Sequence, residues 1–215
     1  MNPSIQEIED FLVLMHDTHP SIQSHTIEGR KHHVDDQKMH LLSMIISFKL
    51  DLVTVKPSKI HGNGVFAKRD IQKGELLTFY PGDKVNFAPN KDSHIDGHKA
   101  FVFWSKRMEN KYGHDECINV DLGDYKFDID DRWIVYGDPS FTDDASYLGH
   151  LINDGAKPND NPKSIQIYCK ISKVKANCDF RDLKSLHLAI VATKDISAGE
   201  ELFISYGVRY WSNRI

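Results

Sequence analysis

Residues 147–159, Tyr-Leu-Gly-His-Leu-Ile-Asn-Asp-Gly-Ala-Lys-Pro-Asn, decide the fold when they are read together with residues 201–207, Glu-Leu-Phe-Ile-Ser-Tyr-Gly. Taken alone, the first stretch predicts an apolar segment that ends in a turn, because Asn, Asp, Gly and Pro favour turns. The second stretch alone predicts a strand that ends at Gly207. A third stretch, residues 62–68, places two glycines at the head of a loop that runs into an apolar strand. The order and spacing of the three stretches are more informative than any one of them.

Four blocks of sequence, in this order along the chain, resemble those of the SET-domain protein lysine methyltransferases. Gly62–Phe66 resembles the glycine entry loop of that family, and Phe79–Gly82 resembles the block that follows its second strand. Leu148–Asn159 is similar to the family's Asn-His-Ser-x-x-Pro-Asn segment, and Gly199–Gly207, followed by Tyr210 and Trp211, is similar to its last block. One block would be a weak match, whereas four collinear blocks over most of residues 52–211 are a strong one.

The resemblance implies a mainly β fold with some α-helix, in the β-clip-like arrangement of small curved sheets that SET domains have. We therefore expect an N-terminal helical extension over residues 1–50, a SET domain over residues 51–211 and a short tail over residues 212–215. An insert over about residues 85–140 interrupts the domain. The strand pattern predicts short strands at residues 52–55, 64–67, 76–80, 100–104, 117–120, 165–169, 186–192 and 202–206.

The resemblance also implies a reaction, the transfer of a methyl group from S-adenosylmethionine to the ε-amine of a protein lysine, with S-adenosylhomocysteine as product. Tyr206 would be the catalytic tyrosine, near the sulfonium, and Tyr80 would line the lysine channel. Such a displacement requires a neutral amine, aligned with the methyl group in a site that excludes water. Burial of the amine lowers its pKa, because a dry environment disfavours the charged form.

By the same resemblance, the cofactor would be held by backbone and amide groups. The glycines would let the main chain approach the ligand closely, the Asn153 amide would bind part of it, and Trp211 would close over the adenine. The cofactor-binding residues that we predict are Gly62, Asn63, Gly64, His150, Asn153, the backbone of Asp154, Tyr206 and Trp211.

Three positions depart from the family pattern. Asp154 stands where a histidine is usual, and Gly155 stands where a serine is usual. An aspartate side chain cannot donate a hydrogen bond as imidazole does, so we expect an acidic group beside the cofactor loop. Ile204 replaces the Phe or Tyr that often influences how many methyl groups are added. The cysteine-rich zinc segment that follows some SET domains has no counterpart here, so we expect residues 208–215 or a partner to close the site.

Composition agrees with these expectations. The chain has 215 residues with 40% hydrophobic and 27% charged residues, as in folded globular proteins. Its formal net charge of −4 argues against direct nucleic-acid binding and suits a basic peptide substrate, of which a histone tail is the commonest in the family. The three cysteines are scattered, no apolar run is long enough for a membrane span and no secretory signal opens the chain. We therefore expect an intracellular protein, in the nucleus or the cytoplasm.

The N-terminal region predicts two amphipathic helices, over residues 4–15 and 35–48. Their apolar faces would pack on the domain or on a second copy of the chain, so a homodimer remains open. The histidines between the helices match no tight pair of metal ligands. They are His16, His19, His25, His32 and His33.

The insert is rich in aspartate and aromatic residues, which predict either a surface that receives a cationic peptide or, with equal weight, a solvated loop region over part of the core. Its aspartates lack the spacing of an EF-hand calcium site. Outside the insert, residues 67–75 and 192–200 repeat one phrase in outline, which predicts two related hairpins with glycine at positive φ.

Two other classes of function stay open. A catalytically weak SET-like module that binds a peptide or protein partner is favoured by Asp154 and opposed by Tyr80, Asn153 and Tyr206. A metal-dependent enzyme is a more distant alternative, and its ligands would come from His94, His98, His114 and His150. Our prediction is that no metal is bound.

Overall fold

Short antiparallel strands form most of the regular structure. The computed structural model describes residues 49–87, 101–129, 133–158, 164–182, 188–212 and 214. The strands are β1 (Val53–Pro57), β2 (Asn63–Ala67), β3 (Leu76–Phe79), β4 (Lys84–Phe87), β5 (Phe101–Trp104), β6 (Lys126–Asp128), β7 (Trp133–Tyr136), β8 (Cys178–Asp182) and β9 (Leu188–Ala192). The helices are α1 (Lys106–Tyr112), α2 (Ser164–Lys175) and α3 (Gly207–Ser212). The two helices predicted over residues 4–15 and 35–48, and also His94 and His98, lie outside the described residues.

The strands form three small sheets in the described part of the chain. β1 pairs with β2, β9 lies between β3 and β8, and the third sheet has the order β5-β4-β7-β6. The third sheet and helix α1 belong to the insert over residues 85–140, apart from the first residue of β4. The described residues of the insert thus form a folded layer with buried residues of their own, and for this part of the insert the interpretation as a solvated loop region is wrong.

The repeated phrase forms two facing turns that bond to each other. Gly74 and Gly199 adopt φ of 94° and 82°, as predicted for these turns. The Asp70 carboxylate accepts from the Ala198 N–H at 2.8 Å, and the Asp195 carboxylate accepts from the Lys73 N–H at 2.9 Å. This reciprocal pairing brings the two ends of the domain together in space, although more than a hundred residues separate them in sequence.

The main core lies between β1, β2 and β9 and takes residues from both stretches that decide the fold. Leu148, Leu151 and Ile152 from the first stretch pack with Leu202 and Ile204 from the second. The polar residues between these apolar side chains are therefore held by a packed core. This packing fixes where Asn153, Asp154 and Tyr206 stand.

Three of the predicted strands are wrong, at residues 117–120, 165–169 and 202–206. Residues 117–120 contain a 3-10 turn, Cys117–Asn119, and the carbonyl oxygens of Ile118 and Val120 accept from the Lys84 ammonium at 3.0 and 3.1 Å. Residues 165–169 belong to helix α2, whose buried side chains Tyr168 and Ser172 recur every four residues. Among the alternating apolar residues that predicted a strand there, Ile167 is exposed and Ile165 and Cys169 are half-buried, because Tyr168 and Ser172 occupy the inner face of the helix.

Candidate active site

Residues 200–206, which lead to Tyr206, run between strand β2 and the backbone of Asn153. Both neighbours form hydrogen bonds to this segment, from opposite sides. The Leu202 N–H donates to the Val65 carbonyl of β2 at 2.8 Å, and the Ile204 N–H donates to the Asn153 carbonyl at 3.0 Å. Only isolated bridges form along this segment, at Glu201 and Phe203, so the strand predicted over residues 202–206 is an extended segment bound on both sides.

Tyr80 and Tyr206, the two predicted catalytic residues, line one cavity of about 330 Å³. The Tyr206 hydroxyl donates to the Ile152 carbonyl at 2.8 Å, and the Tyr80 hydroxyl donates to the Tyr125 carbonyl at 2.7 Å. Burial raises the pKa of both phenols above the ordinary value, so both stay neutral at physiological pH. Because each hydroxyl proton is committed to a carbonyl, the lone pairs of each oxygen are available to accept a hydrogen bond.

Aromatic rings make up much of the cavity wall. Phe127 and Phe180 lie 4.5 Å apart between ring centroids, and both rings contact Tyr80. Tyr210 contacts Tyr206 edge to face at 4.7 Å, on another part of the wall. Charged residues surround the mouth, namely Asp124, Lys126, Asp128, Arg209 and Arg214. A slot of this kind suits an alkyl chain that ends in an amine or a cation.

His150 also lines this cavity, although the sequence predicted a place in the cofactor site. Its ring is 6% exposed, contacts Tyr80 edge to face and donates through Nε2 to the Asp138 carbonyl at 3.0 Å. Nδ1 has no hydrogen-bond partner within the described residues. Burial lowers the pKa of His150 to about 4, so the ring is neutral at physiological pH. It therefore forms an uncharged part of the wall beside Tyr80.

The Asn153 side chain ties the glycine loop to the segment that carries Tyr206. Its amide nitrogen lies 3.1 Å from the His61 carbonyl, 3.0 Å from the Asn63 carbonyl and 3.2 Å from Glu201 Oε1. A side chain at position 64 would displace the Glu201 carboxylate, because an added Cβ would stand 2.1 Å from the same Glu201 oxygen. The structure thus brings Asn63, Gly64 and Asn153 together, and Glu201 joins them.

The Asp154 side chain has a different arrangement from the one expected. The Asp154 carboxylate is turned towards α2 and α3, and its Oδ2 accepts from the Trp211 indole N–H at 3.2 Å. The Trp211 ring stacks near Tyr206, with centroids 6.3 Å apart and an interplanar angle of 19°. The acidic side chain is therefore bound to the protein itself.

The residues near Asn153 fit S-adenosylmethionine, which carries an ammonium group and a sulfonium cation. The Glu201 carboxylate and the carbonyls of His61 and Asn63 are acceptors gathered in one place. Gly62, at φ of 48°, has nothing within 4 Å of the position where a Cβ would stand, so the loop is open there. The stacked rings of Tyr206 and Trp211 present the aromatic faces that favour a cation.

The sequence did not identify some residues that the site uses. Tyr210 forms part of the cavity wall, and Glu201 joins the glycine loop; both were quoted in the last block without a role. Tyr168 and Ser172 bind Asp154, and their spacing of four residues was the available signal for a helix with a polar inner face.

The two candidate histidines within the described residues, His114 and His150, do not support a metal-dependent enzyme. His114 pairs with Glu109 on the surface, whereas His150 is buried in the cavity wall. In the described ranges, no group of three or more His, Cys, Asp or Glu side chains has the geometry to hold a metal ion. None of the helices in these ranges combines the length and apolarity needed to cross a bilayer.

Comparison with known proteins gives a match over most of the chain. The family profile described as SET domain matches residues 62–207. N-lysine methyltransferase KMT5A of Xenopus tropicalis is 28% identical over 165 residues, which cover 75% of this chain and 36% of that protein. Histone-lysine N-methyltransferase set-1 of Caenorhabditis elegans is 23% identical over 182 residues, 82% of this chain and 60% of that protein.

Two further similarities are more limited. Histone-lysine N-methyltransferase TRX1 of Oryza sativa subsp. japonica is 29% identical over 76% of this chain and 12% of its own length. A solved Plasmodium falciparum structure, described as a candidate histone methyltransferase, covers 75% of this chain and 97% of its own, with a TM-score of 0.38 and 17% identity. The chain spans between 36% and 41% of the length of the Xenopus relatives that it matches.

Proposed function

The chain belongs to the SET-domain family, and from this premise we propose that it transfers a methyl group from S-adenosylmethionine to the ε-amine of a protein lysine. The observation that supports this reaction most directly is the pair of tyrosine hydroxyls at the cavity. Tyr80 and Tyr206 each donate to a backbone carbonyl, so each presents oxygen lone pairs and no proton to an incoming amine. The names of the similar proteins, lysine and histone-lysine methyltransferases, agree with the proposal.

The residues of the cavity prepare the amine for the reaction. Aromatic walls exclude water along the alkyl chain, which lowers the pKa of the lysine and favours loss of its proton. The hydroxyl oxygens of Tyr80 and Tyr206 then accept N–H groups of the neutral amine. This contact holds the nitrogen with its lone pair directed away from the two phenols. Neither phenol acts as the base, because burial raises the pKa of both.

The cofactor would be held on the other side of Tyr206, by the glycine loop of residues 61–64, Asn153 and Glu201. S-adenosylmethionine supplies an electrophilic methyl group on a sulfonium when it is bound there. The Asn153 amide fixes the loop carbonyls, and the Glu201 carboxylate beside them favours an ammonium group. Trp211, held through its indole N–H, is placed to shield this side from water.

We further propose an intracellular role on a basic peptide segment, such as a histone tail. The formal net charge of −4 supports this proposal. Asp124 and Asp128 lie at the mouth of the cavity beside three cationic residues, which a basic peptide would displace from the two carboxylates. Asp124 pairs with Arg214 at 3.2 Å, so a basic peptide would exchange with that arginine. The apolar faces predicted for residues 4–15 and 35–48 are the proposed source of a homodimer.

The test combines cofactor binding with turnover. Calorimetry would measure S-adenosylmethionine binding to the wild type, Asn153→Ala and the control Asn119→Ala, whose side chain is exposed on a surface turn. Methyl transfer to mixed histones would be measured for the wild type, Tyr206→Phe and the control Tyr136→Phe, whose ring lies outside the cavity lining. We expect Asn153→Ala to weaken binding and Tyr206→Phe to lower kcat by about 10²–10³-fold, while both controls stay near the wild type.

The outcomes separate enzyme from binding module. If the wild type binds the cofactor and methylates another lysine-containing protein but not histones, the methyltransferase proposal stands and the histone substrate is rejected. Absence of cofactor binding by the wild type rejects the methyltransferase and favours the alternative, a SET-like module that binds a peptide.

A further inference from the structure

The carboxylate of Asp154 is buried and fully surrounded by donors. Asp154 is 5% exposed. Its Oδ2 accepts from the Tyr168 hydroxyl at 2.5 Å, the Tyr206 N–H at 3.0 Å and the Trp211 indole at 3.2 Å. Its Oδ1 accepts from the Ser172 hydroxyl at 2.9 Å and the Ala156 N–H at 3.1 Å. Five donors around one carboxylate offset the cost of taking a charge out of water.

These donors come from two elements that Asp154 joins. Tyr168 and Ser172 lie one turn apart on α2, whereas Tyr206 and Trp211 lie at the start of α3 and within it. The Tyr168 hydroxyl, which donates to Asp154, also accepts from the Gly207 N–H at 3.0 Å. Helix α3 is thus bound to α2 through this hydroxyl and to the carboxylate at two points.

The inner face of helix α2 carries hydroxyl groups, and several of its aliphatic side chains face outward. Tyr168 and Ser172 are buried, whereas Ile167, Ile171 and Val174 are 59%, 42% and 74% exposed. The apolar burial of this helix comes mainly from the Tyr168 ring, and the hydrogen bonds from Tyr168 and Ser172 to Asp154 fix how the helix is oriented on the domain.

The backbone next to Asp154 is shaped for the same helix. A Cβ added to Gly155 would stand 2.8 Å from Lys175 Cβ and 3.2 Å from the Phe203 ring. A serine at position 155 would therefore collide with the end of α2. Asp154 and Gly155, the two adjacent departures from the family pattern, have one physical cause, the close packing of α2.

We propose that Asp154 is a positioning residue, which fixes the backbone of Tyr206 and helix α3 through α2 and so sets the geometry of the cavity. The proposal rests on the function proposed above. Tyr206 is held at two points, its N–H on Asp154 and its hydroxyl on the Ile152 carbonyl. Loss of the first point lets the phenol shift, and a displacement of about 1 Å in such a site costs up to about 100-fold in rate. Tyr210 and Arg209, which also line the cavity, move with α3.

The experiment compares Asp154→Asn, which keeps the shape but replaces one accepting oxygen with a donor, with the control Asp70→Asn. Asp70 likewise accepts a backbone N–H, but in an exposed turn away from the cavity. Steady-state methyl transfer from saturating S-adenosylmethionine to mixed histones is measured below the unfolding temperature of every variant. Hydrogen exchange of the backbone amides of residues 204–212 is measured on the same proteins. We expect Asp154→Asn to lower kcat about 10- to 100-fold, a larger factor than the accompanying change in the histone KM or in the cofactor Kd, because Trp211 keeps its ring contacts with Tyr206 and Tyr210.

We also expect the amides of residues 206–212 to exchange at least about tenfold faster in Asp154→Asn, with no change in Asp70→Asn. Tyr168→Phe, which removes one donor and keeps the ring, provides the second variant if Asp154→Asn does not fold. Tyr168→Phe should also lower kcat, by a smaller factor than Asp154→Asn does. When both substitutions are combined, adding Tyr168→Phe to Asp154→Asn should lower kcat by a smaller factor than Tyr168→Phe does in the wild type, because the two groups share one hydrogen bond.

Two results would overturn the proposal: wild-type exchange at residues 206–212 in Asp154→Asn, or a kcat within twofold of the wild type. A wild type without methyl transfer would instead reject the proposed function. In that case the exchange measurement still decides whether Asp154 holds α3 and Tyr206.

Discussion

The Tyr206 hydroxyl donates to the Ile152 carbonyl across 2.8 Å, and this bond joins the two stretches of sequence that decide the fold. It closes a ring of contacts in which the next residue, Asn153, accepts from the Ile204 N–H and donates to the loop of residues 61–63. The phenol is therefore oriented by the backbone of the core, and its proton points away from an incoming amine.

Tyr80→Phe should lower kcat/KM about 10-fold, because one of the two oxygens that accept the amine is removed. Stability should change by less than about 1 kcal/mol, since the Gly137 N–H still donates to the Tyr125 carbonyl that Tyr80 leaves. Steady-state methyl transfer and urea unfolding measure the two effects, with Tyr136→Phe as the control. Unchanged kcat/KM would remove Tyr80 from the amine site.

His150 should make the protein less stable in acid. Burial lowers its pKa from 6.5 to about 4, so the unfolded chain binds more protons than the folded one between these values. The free energy of unfolding should therefore be highest above pH 6.5 as far as His150 is concerned. It should fall by about 3 kcal/mol in all as the pH falls towards 4.

The measurement is urea unfolding at several pH values for the wild type and His150→Gln, whose amide can still donate to the Asp138 carbonyl. The difference in free energy of unfolding between the two proteins should change steadily over this range. Parallel curves for the two proteins would show that His150 does not titrate in this way.

Gly155→Ser, which introduces the residue usual in the family, should destabilise the protein by about 1–3 kcal/mol, because the new side chain meets Lys175 and Phe203. Thermal unfolding measures the loss. Ala198→Ser places the same residue in an exposed turn and should stay within about 0.5 kcal/mol of the wild type. Equal stability of the two variants would mean that α2 packs less closely on Gly155 than the structure shows.

Asp83→Asn should lower the free energy of unfolding by about 2–3 kcal/mol, because Arg107 loses its buried carboxylate partner. The loss should not be larger, because the Arg107 side chain is partly exposed to water. Asp83 accepts from Arg107 Nε and Nη2 at 2.5 and 2.9 Å and from the Asp138 N–H at 2.9 Å. Urea unfolding would measure the loss. The control Asp51→Asn, at an exposed pair with Lys68, should cost less than about 0.5 kcal/mol, and an equal cost would contradict the prediction.

Much of the fold was predictable because its signals are local. Glycines at turns, apolar alternation in β1–β3 and the repeated phrase of residues 67–75 and 192–200 each report on a few neighbouring residues. The four collinear blocks identified the SET-domain family, which the profile match confirms. The roles predicted for Tyr80, Tyr206 and Asn153 remain predictions, although the structure brings Tyr80 and Tyr206 to one cavity.

The errors came from residues whose partners lie far along the chain. The strand predicted at residues 165–169 is helix α2, because Tyr168 and Ser172 turn inward to Asp154. The turn at residues 117–119 exists because the buried Lys84 ammonium takes the carbonyls of Ile118 and Val120. In both places a polar contact overrides the local apolar pattern, and neither contact is visible in a window of neighbouring residues.

The sequence alone was sufficient for the family, for strands β1, β2, β3, β5 and β9, and for the tyrosines and asparagine that we assign to the site, because these depend on residue type and spacing. Only the tertiary structure decided that Asp154 faces α2 and α3 and that His150 is a neutral part of the cavity wall. It alone also showed that the protons of Tyr80 and Tyr206 are committed to backbone carbonyls. The physical reason is that the direction of a hydrogen bond and the protonation of a buried group depend on which groups lie within about 3 Å in space.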